Sequence, residues 1–183
     1  MTDELVHPQR HAEVLRLISS FDTNPAFVYD RHLTVLLANS LAPAIAPGFA
    51  VGSNLARFTF LPAVIDTDVR DWIAKRDQVA GLLKDLLDRH REDSEYLDLV
   101  GQLATVSPEF ASAWADQPAA QVSGDFLFSN PLTGEFRLEF NLFPLGNDRG
   151  ETLAVWNAFD ATASTALNVL SHEARGGREA HVT

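Results

Sequence analysis

One stretch constrains the fold of this chain more than any other: Gly134-Glu135-Phe136-Arg137-Leu138-Glu139-Phe140-Asn141-Leu142. Apolar and polar residues alternate through it without a slip, the period of a strand with one buried and one wet face. Phe136, Leu138, Phe140 and Leu142 fall on the buried face, and Glu135, Arg137, Glu139 and Asn141 on the other. Burying such side chains is worth roughly 1.5–3 kcal/mol each, which a lone strand cannot collect. Other elements must cover that face, and a function in binding depends on whether the cover closes completely.

The strand pattern recurs on both sides. Ala26 to Asp30 and Thr34 to Ala38 read as a hairpin around Asp30-Arg31-His32. Gly124 to Ser129, with Phe126 and Phe128 on one face, turns through Asn130 to Gly134 into the alternating strand. A second turn, Gly146 to Gly150, leads to Thr152 to Phe159, whose two apolar faces place it centrally in a sheet. An amphipathic helix from Glu13 to Phe21, carrying Val14, Leu17, Ile18 and Phe21, precedes the first strand.

Between the two β portions the pattern is helical. Asn39 or Ser40 caps a short helix, Leu41 to Ile45, and a turn-like segment runs from Val51 to Pro62. A long helix follows from Asp66-Thr67-Asp68 to His90, its stripe including Trp72, Ile73, Val79, Ala80, Leu83, Leu86 and Leu87. Leu97, Val100, Leu103 and Ala104 mark another, and Ser107-Pro108 caps and opens a third with Phe110 and Trp114. Ala161 to Leu170 reads as a last short helix. The order is thus β-β, helices, β-β-β. It predicts an α+β fold, a PAS-like five-stranded antiparallel sheet with a large helical insertion between strands 2 and 3. The expected divisions are an N-terminal helix or linker at 1–23, the domain at 24–170 and a flexible tail at 171–183.

Composition narrows the function classes. A net charge of −11 argues against nucleic-acid binding by this chain alone, because phosphate contacts need clustered Lys and Arg. The absence of Cys excludes disulfides, thiolate metal sites and a Cys nucleophile. The acidic start lacks the basic-then-apolar order of a signal peptide, and no apolar run approaches the ~20 residues of a membrane span. The expectation is a cytoplasmic protein. No Gly-x-Ser-x-Gly elbow, His-Glu-x-x-His or phosphate loop points to catalysis, so no catalytic residue, metal or cofactor is assigned. His7 and His11 are four apart but flank Pro8, a poor basis for a metal site. His32 reads as an exposed turn residue, and Glu135 and Glu139 as solvated charges.

The ordered series of short motifs resembles the C-terminal ligand-binding domain of MmyB-like transcription regulators in the XRE helix-turn-helix group. The matching stretches are Asn24 to Asp30, Ala38-Asn39, Asn54 to Pro62, Asp93-Ser94-Glu95 through Leu103, and Ser107 to Phe110 with Trp114. Gly134 and the alternating strand complete the series, which covers roughly Glu13 to Leu170. Two departures stand out. Asn130 occupies a place where the family often has His before Pro, and the stretch before Asn24 is too short for a helix-turn-helix.

The resemblance implies a sensor domain that binds an apolar, fatty-acyl-like small molecule, reaches DNA only through a linked or partner helix-turn-helix, and forms a homodimer. Phe27, Tyr29, Phe58, Phe60, Trp72, Phe126, Phe128, Phe140 and Trp156 then become candidates for a cavity wall, with the ligand against Phe136, Leu138 and Phe140. The alternative is a packed core. Arg57 could pair with a ligand carboxylate or, as a structural Arg, with Asp66 or Asp68. Asn157, on an apolar strand, needs a partner from a neighbouring turn or from a ligand. A protein-interaction or dimerisation module without ligand is the competing function. A cone-shaped antiparallel-sheet enzyme would need an inward acid or His pair.

Overall fold

The computed structural model describes residues 6–61, 72–87, 92–116, 118–146 and 150–179. Its five strands are β1 (Ala26–Tyr29), β2 (Val35–Ala38), β3 (Ser123–Asn130), β4 (Gly134–Pro144) and β5 (Thr152–Ala158). They form one antiparallel sheet in the order β2-β1-β5-β4-β3, so β5, apolar on both faces, is the middle strand as its composition predicts. The insertion between β2 and β3 holds α2 (Ala42–Ile45), a 3-10 turn at Pro47–Phe49, α3 (Leu55–Phe60), α4 (Trp72–Leu87), α5 (Ser94–Val106) and α6 (Pro108–Asp116). Helix α1 (Val6–Ser19) precedes the sheet and α7 (Ala161–Glu179) follows it.

The alternation in β4 sets the inner face of the sheet. Phe136, Leu138 and Phe140 are buried, and Leu142 is half-buried. Opposite them in register stand Phe128, Phe126 and Gly124 on β3, while Trp156 faces Phe140 and Ala154 faces Leu142 on β5. Gly124 is a close approach: a Cβ there would lie 2.9 Å from the Phe140 ring. The β3–β4 turn is built from its own residues. Asn130 Oδ1 accepts from the Leu132 amide, and Gly134 takes φ +73°.

Several element readings change in the structure. Helix α1 begins at Val6, because Pro8 falls in its first turn where a missing N–H costs nothing. Of the expected α1 stripe Ile18 is buried, but Leu17 is 53% exposed. The Val51 to Pro62 segment contains a true helix, α3, capped by Asn54. In α4 Ile73 faces water, and the inward residues are Ala80 and Leu83 with Gln78. In α5 the buried face is Tyr96, Leu99 and Leu103, while Leu97 is exposed. Helix α7 runs past Leu170 to Glu179 instead of fraying at 171. Ser171 donates to the Asp22 carbonyl and Arg175 pairs with the Asp22 carboxylate, and these contacts offset the weak helix propensity of Gly176-Gly177. The start at Asp66 to Asp68, the end at His90, the 147–149 turn and the last residues of the tail lie outside the described residues.

Polar groups bind the layers together. His32 is mostly covered rather than exposed: its Nε2 lies 2.9 Å from Asp93 Oδ2, which is also 2.9 Å from Arg31 Nε. Asp93 in turn caps α5 by accepting from the Tyr96 amide. Burial works to raise the Asp93 carboxyl, but the His32 and Tyr96 hydrogen bonds and the His32 and Arg31 charges prevail and hold it at about 2. The β1–β2 turn is thereby tied to the helical insertion.

Asn39 is the tightest junction in the chain. It is 3% exposed, and its Oδ1 accepts from the Ala26 and Ala42 amides. Its Nδ2 donates to the carbonyls of Ile18 and Asn24. One side chain thus holds the first amide of α2 and joins the end of α1 to the start of β1. Asn39→Ala should cost about 3 kcal/mol, since it leaves buried backbone groups without partners. Asn39→Asp, which keeps the acceptor bonds and loses both donor bonds, should fare no better. Urea unfolding of the two variants checks this, and wild-type stability in either contradicts it.

Candidate functional site

The inner face of the sheet and the helical insertion do not close on each other. Between them lies a cavity of about 500 Å³, inside the ~300–1,000 Å³ range of small-molecule sites. Its floor is the sheet: Phe27 and Tyr29 of β1, Ala154 and Trp156 of β5, Phe140 and Leu142 of β4, Phe126 and Phe128 of β3. Its roof is Leu55, Phe58 and Thr59 of α3 with Lys75, Gln78, Val79 and Leu82 of α4. The Ile45 to Phe49 segment closes one side.

The floor is a set of interlocking rings. Phe49 stacks on Phe27 at 4.5 Å and on Trp156 at 5.5 Å between centroids. Trp156 also meets Phe128 edge-on at 5.3 Å and Phe140 at 5.4 Å, and Phe126 stacks on Phe140 at 5.2 Å. Such pairs hold their geometry because each is favoured by about 0.5–1.5 kcal/mol beyond area burial. The rings are thus braced against one another.

The roof is fixed by polar contacts. Gln78 donates to the Gln121 carbonyl at 2.7 Å and accepts from the Gln121 amide at 2.8 Å. Lys75 Nζ donates to the Leu127 carbonyl on the edge strand β3 and lies 4.6 Å from the Phe128 ring centroid. Further along α4, Lys84 donates to the Trp114 carbonyl and Tyr96 of α5 donates to the Leu83 carbonyl. Gly81 sits against the 119–120 backbone, where a Cβ would come within 2.6 Å of the Ala120 nitrogen. These contacts seat α4 on β3 and on the segment leading into it.

Few polar groups face the interior. Burial pushes the Tyr29 phenol up to about 12, against a hydrogen bond with Thr152, so it stays neutral across the physiological range. Among the described lining residues Lys75 alone carries a charge, and there is no Asp, Glu or His. The Trp156 indole N–H has no hydrogen-bond partner.

The predicted site residues are distributed unevenly. Phe27, Tyr29, Phe126 and Phe140 line the cavity together. Phe136 and Leu138 are on the same sheet face but packed in the core, and Phe60 is buried against Phe110 at 4.9 Å. Arg57 is exposed on α3 and does not line the cavity. Asn157 lies on the opposite sheet face, where its Oδ1 accepts from Asn24 in the turn before β1. Trp72 opens α4, but its side chain lies outside the described residues, as do Asp66 and Asp68. Phe49, Lys75, Gln78 and Leu82 were not legible as site residues. The clue for Phe49 is Gly48, whose missing Cβ makes room for the Phe58 ring beside it.

The family model for the MmyB-like transcription regulator ligand binding domain matches residues 11–169. No curated protein matches the chain.

Gly81→Ala tests how the roof is seated. Helix propensity alone predicts a gain of up to about 1 kcal/mol, whereas a forced shift of α4 from the Ala120 backbone costs about 1–3 kcal/mol. We expect net destabilisation by thermal unfolding, with a fall of ~2–4 °C per kcal/mol for a domain of this size. A rise in Tm contradicts the close seating.

Proposed function

The chain belongs to the family of MmyB-like transcription regulator ligand-binding domains, and on that premise we propose that it senses an apolar small molecule of fatty-acyl type. The observation that carries this reading is the aromatic-walled cavity of about 500 Å³ over the sheet. A ring-lined floor suits an acyl chain, for which apolar burial contributes ~0.8 kcal/mol per CH2. The chain works in this reading by binding rather than by catalysis. It acts on DNA only through a linked or partner helix-turn-helix domain, in the cytoplasm and as a homodimer.

The route of the signal follows from where α1 is held. Arg10 donates to the Leu145 carbonyl at 2.8 Å, and His11 Nε2 lies 2.9 Å from the buried carboxylate of Glu151. Both acceptors lie between β4 and β5, the strands that carry Phe140, Leu142, Ala154 and Trp156. A ligand that shifts these strands changes the seat of α1, and a ligand biases such an equilibrium only by its differential affinity for the two arrangements. The dimerisation module without ligand requires a filled core, which the cavity disfavours.

Mass spectrometry of lipid extracted from the purified protein, followed by thermal shift with saturated fatty acids, tests the reading. A ligand at a hundred times its Kd stabilises by about 2.7 kcal/mol, a rise in Tm of roughly 5–10 °C at this chain length. Ala154→Phe, which projects a ring into the cavity, should abolish both the co-purified lipid and the shift while keeping the far-UV spectrum. Wild-type protein with neither bound lipid nor stabilisation overturns the proposal.

A further inference from the structure

The turn between β1 and β2 holds two helices of the insertion at once, one by its side chains and one by its backbone. His32 Nε2 lies 2.9 Å from Asp93 Oδ2 at the cap of α5, and its Nδ1 lies 3.6 Å from Glu95 Oε2 in the first turn of that helix. The carbonyl of His32 accepts from the Asn54 side chain at 2.6 Å, and that of Leu33 from the Leu55 amide at 2.8 Å. Asn54 caps α3 and Leu55 opens it. Leu55, Phe58 and Thr59 of α3 are part of the cavity roof.

Two features set this turn apart. Carboxylate oxygens only accept, and an imidazole donates from both ring nitrogens only when protonated. His32 faces a carboxylate on each side, so its neutral ring leaves one lone pair turned toward an acceptor. The other charged groups at the cluster are Arg31, whose Nε is 2.9 Å from the same Asp93 oxygen, and Asp30, whose carboxylate accepts from the His32 and Thr34 amides. The second feature is Leu33, which is fully buried and sits at φ +63°, a region that residues other than Gly seldom enter. Such strain persists only where the surroundings over-determine it.

We propose that His32 is a proton-operated latch on the cavity roof: as imidazolium it pins the strained turn between α5 and α3, and on losing its proton it lets Leu33 relax and carry the start of α3 with it. A charge-assisted hydrogen bond is roughly twice as strong as a neutral one, so the latch holds better when the ring is charged. Its contribution is present at low pH and lost as pH rises through the range in which histidine titrates, between about pH 5 and 8. Asp93, held at about 2, stays ionised throughout that range. The device acts on the roof itself, whatever the cavity holds.

Amide hydrogen exchange across that pH range, in protein without added ligand, tests the latch. Rates are expressed as protection factors, so that the intrinsic pH dependence of exchange cancels. The Tyr96 amide reports the Asp93 cap, and the Leu55 amide reports the Leu33 carbonyl. Both should lose protection roughly three- to tenfold, the difference between a charge-assisted and a neutral hydrogen bond, while nitrogen NMR shows the His32 ring losing its proton. His32→Gln keeps one donor for Asp93 and cannot titrate, so its two amides should hold constant protection across the range. An ordinary ion pair would move Tyr96 alone. Constant protection at Leu55 while the wild-type ring titrates therefore overturns the latch, and so does an equal fall in His32→Gln. Should the variant fail to fold, the wild-type comparison of ring and Leu55 decides by itself.

Discussion

Helix α4 packs its apolar side on α3 and α6 and is tied toward the sheet by hydrogen bonds to backbone, so that it spans the aromatic face without closing on it. Gln78 locks onto both backbone groups of Gln121, and Lys75 reaches the carbonyl of Leu127 on the edge strand. Gly81 brings the helix hard against the backbone at Ala120. Hydrogen bonds fix distance and direction, whereas apolar contact alone draws surfaces together until no gap remains. A helix seated by such bonds stays where they put it.

The opposing surface is rigid for a different reason. Strand pairing spaces the inner-face residues at a fixed pitch, and the rings of Phe27, Phe49, Trp156, Phe140 and Phe126 stack into a continuous layer. Each ring is confined by its neighbours, so collapse into the void would break several favourable pairs at once. A rigid roof over a rigid floor is the arrangement of a preformed site, in which a ligand bears little of the ordering cost. The strands of that floor also end at Leu145 and Glu151, which hold α1 through Arg10 and His11.

The sheet was legible in the sequence because alternation in β4 and double-sided apolarity in β5 each have one structural reading. The Ser107 cap, with its hydroxyl accepting from the Phe110 amide, and the Asn130 turn were legible from local hydrogen-bonding chemistry alone. The inward faces of α4 and α5 were harder. Ile73 and Leu97 are apolar enough to suggest burial, yet the packing angle of each helix directs Gln78 and Tyr96 inward instead. A periodic pattern gives a stripe but not which edge of it meets the neighbour. The site was the least legible part. Lys75 and Gln78 are polar residues on a helix, and their place in the roof depends on carbonyls some forty to fifty positions away. Arg57 drew attention by its apolar surroundings in sequence, but the Asn54 cap sets α3 so that residue 57 faces out.

A crystal structure determined under xenon pressure would test the central claim most directly, because xenon enters apolar cavities that water leaves empty. The account predicts xenon between the Phe27 and Phe140 rings of the floor and Leu82 of the roof, with α4 unmoved. A floor and roof in direct contact, with no xenon between them, would contradict it.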